Sequence, residues 1–163
     1  MTQPFNIANW ISDRAKLQPD QPAIIVPKGD TEKRLSFLET EAMINAYARG
    51  FSSVGLKAGD RVSLFVKPCL EFMPLTFALY KVGAVVVLID PGMGKDGLLS
   101  CIERIKPSAL VGIPKAMFAS WLYRKKFASV KTKITVGGGS WLWGGYRLDR
   151  IKSKDESPFP SAK

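Results

Sequence analysis

The sequence predicts an α/β fold: a largely parallel sheet flanked by helices, preceded by an N-terminal helix and a β-hairpin. Three observations carry this. From Asp60 onward short apolar runs alternate with helical-period segments: "RVSLFV", "AVVVLI", "ALVGI" and "KITVGG" are separated by stretches of helix length. The runs show no polar alternation, so both faces of each strand need cover, as in parallel sheets. Apolar residues make up 46% of the 163-residue chain, enough for a sizeable core.

The elements follow in order. Asn6–Gln18 reads as a helix with Ile7, Trp10, Ile11 and Ala15 on its apolar side, Asn6 as its cap and Pro19 as its stop. "PAIIVPKGDTEKRLSF" reads as two strands around a Gly-Asp turn. Ser36 and Glu39 have capping-box spacing, opening a helix that runs to about Ser53 and is ended by Gly55. Gly59-Asp60 turns the chain into the strand Val62–Val66. Helix Cys69–Val82, strand "AVVVLI", helix "KDGLLSCIERIK", strand "ALVGI", helix "KAMFASWLYRKKF" and strand "KITVGG" complete the alternation. The end, "RLDRIKSKDESPFPSAK", loses apolar periodicity and gains Pro, Ser and charge. Residues 1–154 are therefore assigned to the folded unit, and 155–163 to a linker or disordered end.

Composition excludes several chemistries. The chain has no histidine, which removes His-based triads, His general bases and His metal ligands. Cys69 and Cys101 are too far apart for a CxxC site. They are expected to be reduced, mostly buried thiols of a cytoplasmic protein. The first twenty residues lack the basic and apolar regions of a signal peptide. Phe72–Ile89 is apolar, but Pro74, Lys81 and Gly83 interrupt it, so it reads as a core helix followed by a buried strand.

The net charge of +10 is unevenly distributed. Residues 1–113 carry a net +2, residues 114–154 a net +9, and the last nine a net −1. The basic segment 114–154 admits a nucleic-acid face, or a patch for anionic lipid with Trp121, Trp141 and Trp143 as interfacial rings. A plain solvated face outweighs both, because charge sign alone points weakly to a partner.

"PGMGKDG" follows a strand, opens a helix, and places Gly92, Gly94 and Gly97 at dinucleotide-loop spacing. Its companions are missing. The next strand ends in Pro114-Lys115 without the acid that binds a ribose, and Asp90 sets a negative charge at the entry. A phosphate-cradling loop fits no better, with Ile89 at its first glycine and Asp96 where a hydroxyl should bind magnesium. A small Rossmann-like nucleotide binder using Gly92–Gly97 stays open as an alternative, beside a non-catalytic basic module binding anionic lipid or RNA through 114–154.

"PDQPAII" (19–25), "LSFLE" (35–39), "GLKAGDRVSLFV" (55–66) and "EFMPLTFALYKVGAVVVLIDP" (71–91) together resemble the start of the adenylate-forming, AMP-dependent ligases. The turn "DPGMG" is similar to a subgroup acting on fatty acids, including fatty-acid CoA ligases and the olefin β-lactone synthetases. The likeness covers most of residues 6–113. It implies an incomplete piece of a large N-terminal domain. It also implies a reaction in which a fatty-acid or β-hydroxy-acid carboxylate attacks ATP, with magnesium, to give an acyl-adenylate and pyrophosphate. The acyl group then passes to CoA, or closes a lactone on an internal hydroxyl.

In that family Asp90-Pro91 and the following glycines are scaffold, so the glycines supply turn angles. The family's Ser/Thr/Gly phosphate loop ending Pro-Lys-Gly, its Thr-Glu pair, its ribose Asp and its C-terminal Lys have no counterpart here. "VGGGSWLWGG" lacks the hydroxyl run and the lysine. No catalytic, cofactor-binding or metal-binding residue is therefore assigned, ATP and magnesium are expected only for a longer enzyme, and this chain alone is expected to be inactive. Its partners would be the remainder of that enzyme and a peripheral membrane contact, with no specific nucleic acid. A partial sheet should leave apolar area uncovered.

Overall fold

The computed structural model describes residues 6–138 and 144–162. The chain opens with helix α1 (Ala8–Leu17). Asn6 serves it from one residue outside the cap position, its Oδ1 accepting from the Ala8 N–H at 3.0 Å. Strands β1 (Pro22–Lys28) and β2 (Thr31–Ser36) pair antiparallel around the expected Gly29-Asp30 turn. Ser36 then caps α2 (Phe37–Ser53), and both bonds of the capping box are present.

The main sheet contains β3 (Arg61–Phe65), β4 (Val85–Val87), β5 (Ala109–Gly112), β6 (Thr132–Thr135) and β7 (Tyr146–Arg147). All neighbours run parallel, in the order β4-β3-β5-β6-β7. The crossovers are α3 (Phe72–Lys81) between β3 and β4, α4 (Gly94–Ile105) between β4 and β5, and α5 (Pro114–Leu122) between β5 and β6. Because β3 lies between β4 and β5, the chain reverses direction across the sheet there and covers both faces.

Strand register sets two apolar layers. Val62, Leu64, Ala109, Val111 and Ile134 share one face and pack with Ile44 and Phe51 of α2 and Leu75 and Leu79 of α3. Leu110 points the other way, onto Leu99 and Ile102 of α4, Met117 of α5, and Phe127. This two-sided burial is why the strands read as unbroken apolar runs.

The structure departs from the sequence reading in three places. Helix α5 stops at Leu122, and turns occupy 123–129, where Phe127 is still buried. A two-residue strand, β7, and a one-turn helix, α6 (Leu148–Ile151), lie in the segment read as aperiodic. Both are too short to show a period, and long-range contacts select them. Leu148 is buried in the first core, and Gly50 of α2 lets the Ile151 carbonyl approach so closely that a Cβ there would sit 2.4 Å from its oxygen.

Residues 153–162 contain no helix or strand, but the expected unsupported end is instead held against α2 and α3. Arg49 donates to the carbonyls of Ser157 (2.8 Å) and Pro158 (3.3 Å), and its guanidinium lies over the Phe159 ring. Asn45 Oδ1 accepts from the Phe159 N–H, and the Lys81 carbonyl accepts from the Ala162 N–H at 2.7 Å.

Candidate functional site

Strands β3, β4 and β5 are each followed within two to four residues by a proline: Pro68, Pro91 and Pro114. Proline donates no ladder hydrogen bond, so pairing does not resume there. Pro91 opens a 3-10 turn (Pro91–Met93) ahead of α4, and Pro114 opens α5, a position its fixed φ suits. The three strand exits therefore splay apart at the carboxyl edge of the sheet, where the winding reverses. Open α/β sheets form their ligand crevice at such a switch point.

A cleft of about 760 Å³ occupies this place. Leu64, Phe65 and Val66 of β3 and its exit form its floor. Leu88 and Ile89 beyond β4 and Ile113 beyond β5 flank it. Phe72 of α3, Leu98 of α4, and Ala116 and Ala119 of α5 close its sides. Its charged lining residues are Lys67, Asp90 and Lys115, all exposed. The cleft is suited to an apolar body whose polar end faces water near two cations. No local motif spells it, since each strand contributes only a few apolar side chains.

The glycine loop lies on its rim with other work to do. Asp90 Oδ1 accepts from the Gly92 N–H at 2.8 Å, so the carboxylate occupies the place a phosphate would take. Of the three glycines only Gly94 has a positive φ, 75°, and Gly97 is an ordinary residue inside α4. The loop also follows edge strand β4, whereas a dinucleotide loop follows a strand at the centre of the winding. This arrangement does not fit a nucleotide. Among the described residues no three His, Cys, Asp or Glu side chains converge to hold a metal. No chemical step is assigned to the residues of this loop.

Other titratable groups resolve as structural. Cys69 and Cys101 are free and half-buried rather than mostly buried, and desolvation pushes the Cys69 thiol up, away from a reactive thiolate. Lys81, buried between α1, α2 and α3, donates to Glu41 Oε1 and Asn45 Oδ1, each at 2.6 Å, and to Ser12 Oγ at 3.3 Å. That cluster joins three helices.

The basic segment is dispersed over several elements. Lys126 pairs with Glu103, Arg147 with Asp149, and Lys152 lies over the Tyr47 ring. Burial lowers the Lys133 pKa. Trp121 is exposed on α5, while Trp141 and Trp143 lie outside the described residues. Among the described residues no helix is long and apolar enough to cross a membrane.

Comparison with known proteins agrees with this architecture. Residues 11–158 match the model of the AMP-binding enzyme family. The chain is 39% identical over 159 residues to an olefin beta-lactone synthetase of Xanthomonas campestris pv. campestris, covering 93% of this chain and 28% of that protein. It is 34% identical to an olefin beta-lactone synthetase of Stenotrophomonas maltophilia, over 93% of this chain and 29% of that protein. It thus spans less than a third of either relative's length. Among solved structures, a long-chain-fatty-acid-CoA ligase of Archaeoglobus fulgidus superposes with a TM-score of 0.81 at 21% identity, over 100% of this chain and 33% of that one, a likeness of fold. With the family model matching almost its whole length, the chain belongs to the AMP-binding, adenylate-forming enzymes.

Proposed function

We propose that this chain is the N-terminal section of an ATP-dependent enzyme that adenylates a long-chain fatty or β-hydroxy acid, and that its own contribution is to seat the hydrocarbon part of that acid. The observation that carries this reading is the apolar cleft at the sheet's switch point. A cleft lined by Phe65, Phe72, Leu88 and Ile89 gains about 25 cal/mol for each Å² of chain it removes from water. Lys67 and Lys115 favour a carboxylate at its mouth and Asp90 opposes it, which leaves the lining one positive charge in excess.

In the full reaction the substrate carboxylate displaces pyrophosphate from ATP. In the β-lactone branch the substrate's own β-hydroxyl oxygen then attacks the activated carbonyl carbon, losing its proton as AMP leaves. The two olefin beta-lactone synthetases, at 39% and 34% identity, favour that branch over transfer to CoA. The phosphate-handling residues belong to a longer polypeptide, so this chain alone carries no adenylation activity.

The test is displacement of a fluorescent long-chain fatty acid from the 163-residue chain by 3-hydroxy acids of increasing length. Affinity should rise with chain length, and Ala119→Trp, which fills the cleft, should abolish binding. Binding that is independent of chain length, or untouched by Ala119→Trp, would refute the assignment. ATP–pyrophosphate exchange, absent from this chain and present in a longer polypeptide bearing it, tests the reaction separately.

A further inference from the structure

Residues 153–162 belong to no helix or strand, and no sheet ladder holds them. Side chains of the helices take that part. Arg49 of α2 donates to the carbonyls of Asp155, Ser157 and Pro158. Asn45, one turn earlier on α2, donates from Nδ2 to the Glu156 carbonyl at 3.2 Å and accepts the Phe159 N–H at 3.1 Å. Asn6 donates both to the Ala162 carbonyl and to the Tyr80 carbonyl near the end of α3, and Ser161 donates to Asn9 of α1 at 2.6 Å. Pro158 and Pro160 fix φ, bring no N–H that needs a partner, and bias Ser157 and Phe159 to extended backbone. The segment therefore docks at a reduced entropic cost.

Its seat is built at two points. At the first, Asn45 is 2% exposed, and its Oδ1 takes two donors, the Phe159 N–H and the Lys81 Nζ. At the second, Ala162 fills the space that a side chain on Gly83 would need, since a Cβ there would lie 2.7 Å from the Ala162 Cβ. The Ala162 N–H also donates to the Lys81 carbonyl at 2.7 Å. The segment thus holds Lys81 at its own backbone and, through Asn45, at its ammonium group. Lifting either point strips partners from polar groups in the same buried network, which includes the Lys81–Glu41 pair. A stiff segment whose two anchors share one network gains little from partial release, so opening is all-or-none.

We propose that residues 153–162 form a latch that opens and closes as one unit over α1, α2 and α3, while the sheet beneath stays folded. Closed, the latch ties α1 to the end of α3 and keeps water from Asn45 and Lys81. Open, it releases the end of α3 and admits water to both side chains.

The experiment is native-state amide hydrogen exchange of the 163-residue chain, read by NMR at the Phe159 and Ala162 amides, with the amides of β5 as the reference for the sheet. In the parent the two reporters should share one protection factor, below that of β5. Arg49→Gln perturbs one end by removing a charged donor, and should lower protection about tenfold at both reporters. Ser161→Ala perturbs the other end by removing one neutral bond, and should lower it about fivefold at both. The β5 amides should not change. Both substituted side chains are partly exposed, and circular dichroism checks that the fold is retained. Loss confined to the reporter nearer each substitution would mean piecewise fraying and would overturn the proposal. So would an equal loss in β5, which would mean that the segment opens only with the whole fold, or unchanged protection in Arg49→Gln.

Discussion

Replacing Lys81 by Met keeps most of the side-chain volume and removes a charge from a site where only 2% of the side chain meets solvent. Glu41, 12% exposed, then loses the cation 2.6 Å from its Oε1. Its Oε2 already has no hydrogen-bond partner among the described residues, so the carboxylate keeps only the Ser12 hydroxyl at 2.8 Å. Breaking one side of a buried pair costs about 3–5 kcal/mol. Because Ser12 remains, and Asn45 Oδ1 still accepts from Phe159, the cost should lie at the low end, about 3 kcal/mol. With a urea slope of roughly 1–3 kcal/mol per molar, the midpoint should fall by about 1–2 M.

Removing both charges, in Lys81→Met/Glu41→Leu, leaves an apolar contact between α2 and α3 and should return stability to within about 1 kcal/mol of the parent. The double-mutant cycle should therefore show a coupling of at least about 2 kcal/mol. A Lys81→Met cost below about 1 kcal/mol, or an additive cycle, would refute the claim that this pair is a buried, interdependent cluster.

Three further outcomes follow from individual contacts. Gly50→Ala should destabilise by about 1–2 kcal/mol in urea unfolding, since the clash with the Ile151 carbonyl outweighs the usual helical gain of about 1 kcal/mol from replacing glycine; a stabilised variant would place α6 elsewhere. Ser36→Ala should cost about 1 kcal/mol through loss of the capping box, and Ser36→Asp should recover most of it. Burial, followed by the charge of Glu71, pushes the Tyr47 phenol up to about 12. Its protonated form is favoured in the fold, so its contribution is intact below pH 10 and is lost as pH rises from 10 through 12; Tyr47→Phe should flatten that part of the alkaline stability curve.

The fold was legible because its signals are local and repeated. The apolar runs, the Ser36–Glu39 box and the Gly29-Asp30 turn are each set within a few residues, and the structure keeps them. What the residues alone concealed is non-local. Tyr146–Arg147 becomes a strand only because Ile134 and Thr135 stand beside it, and 153–162 is ordered by Arg49, Asn45 and Lys81, more than seventy residues earlier. No window of sequence contains both sides of those contacts.

The candidate site was hidden for the same reason, although a trace of it was present. The glycine loop has compact dinucleotide-like spacing, yet its Asp90 already accepts from the Gly92 N–H that a phosphate would use. The cleft leaves a fainter mark, three successive strands each followed within four residues by proline, at Pro68, Pro91 and Pro114. A proline at one strand end says only that the strand stops. Three of them, once β3 is known to lie between β4 and β5, say that the strand exits share one edge and that the crossover helices leave it in opposite directions. The space between them then has to be filled, and the side chains that reach it are apolar except at the mouth. Strand order is the missing quantity that turns three separate stops into one site, and it is set by which face each crossover helix buries.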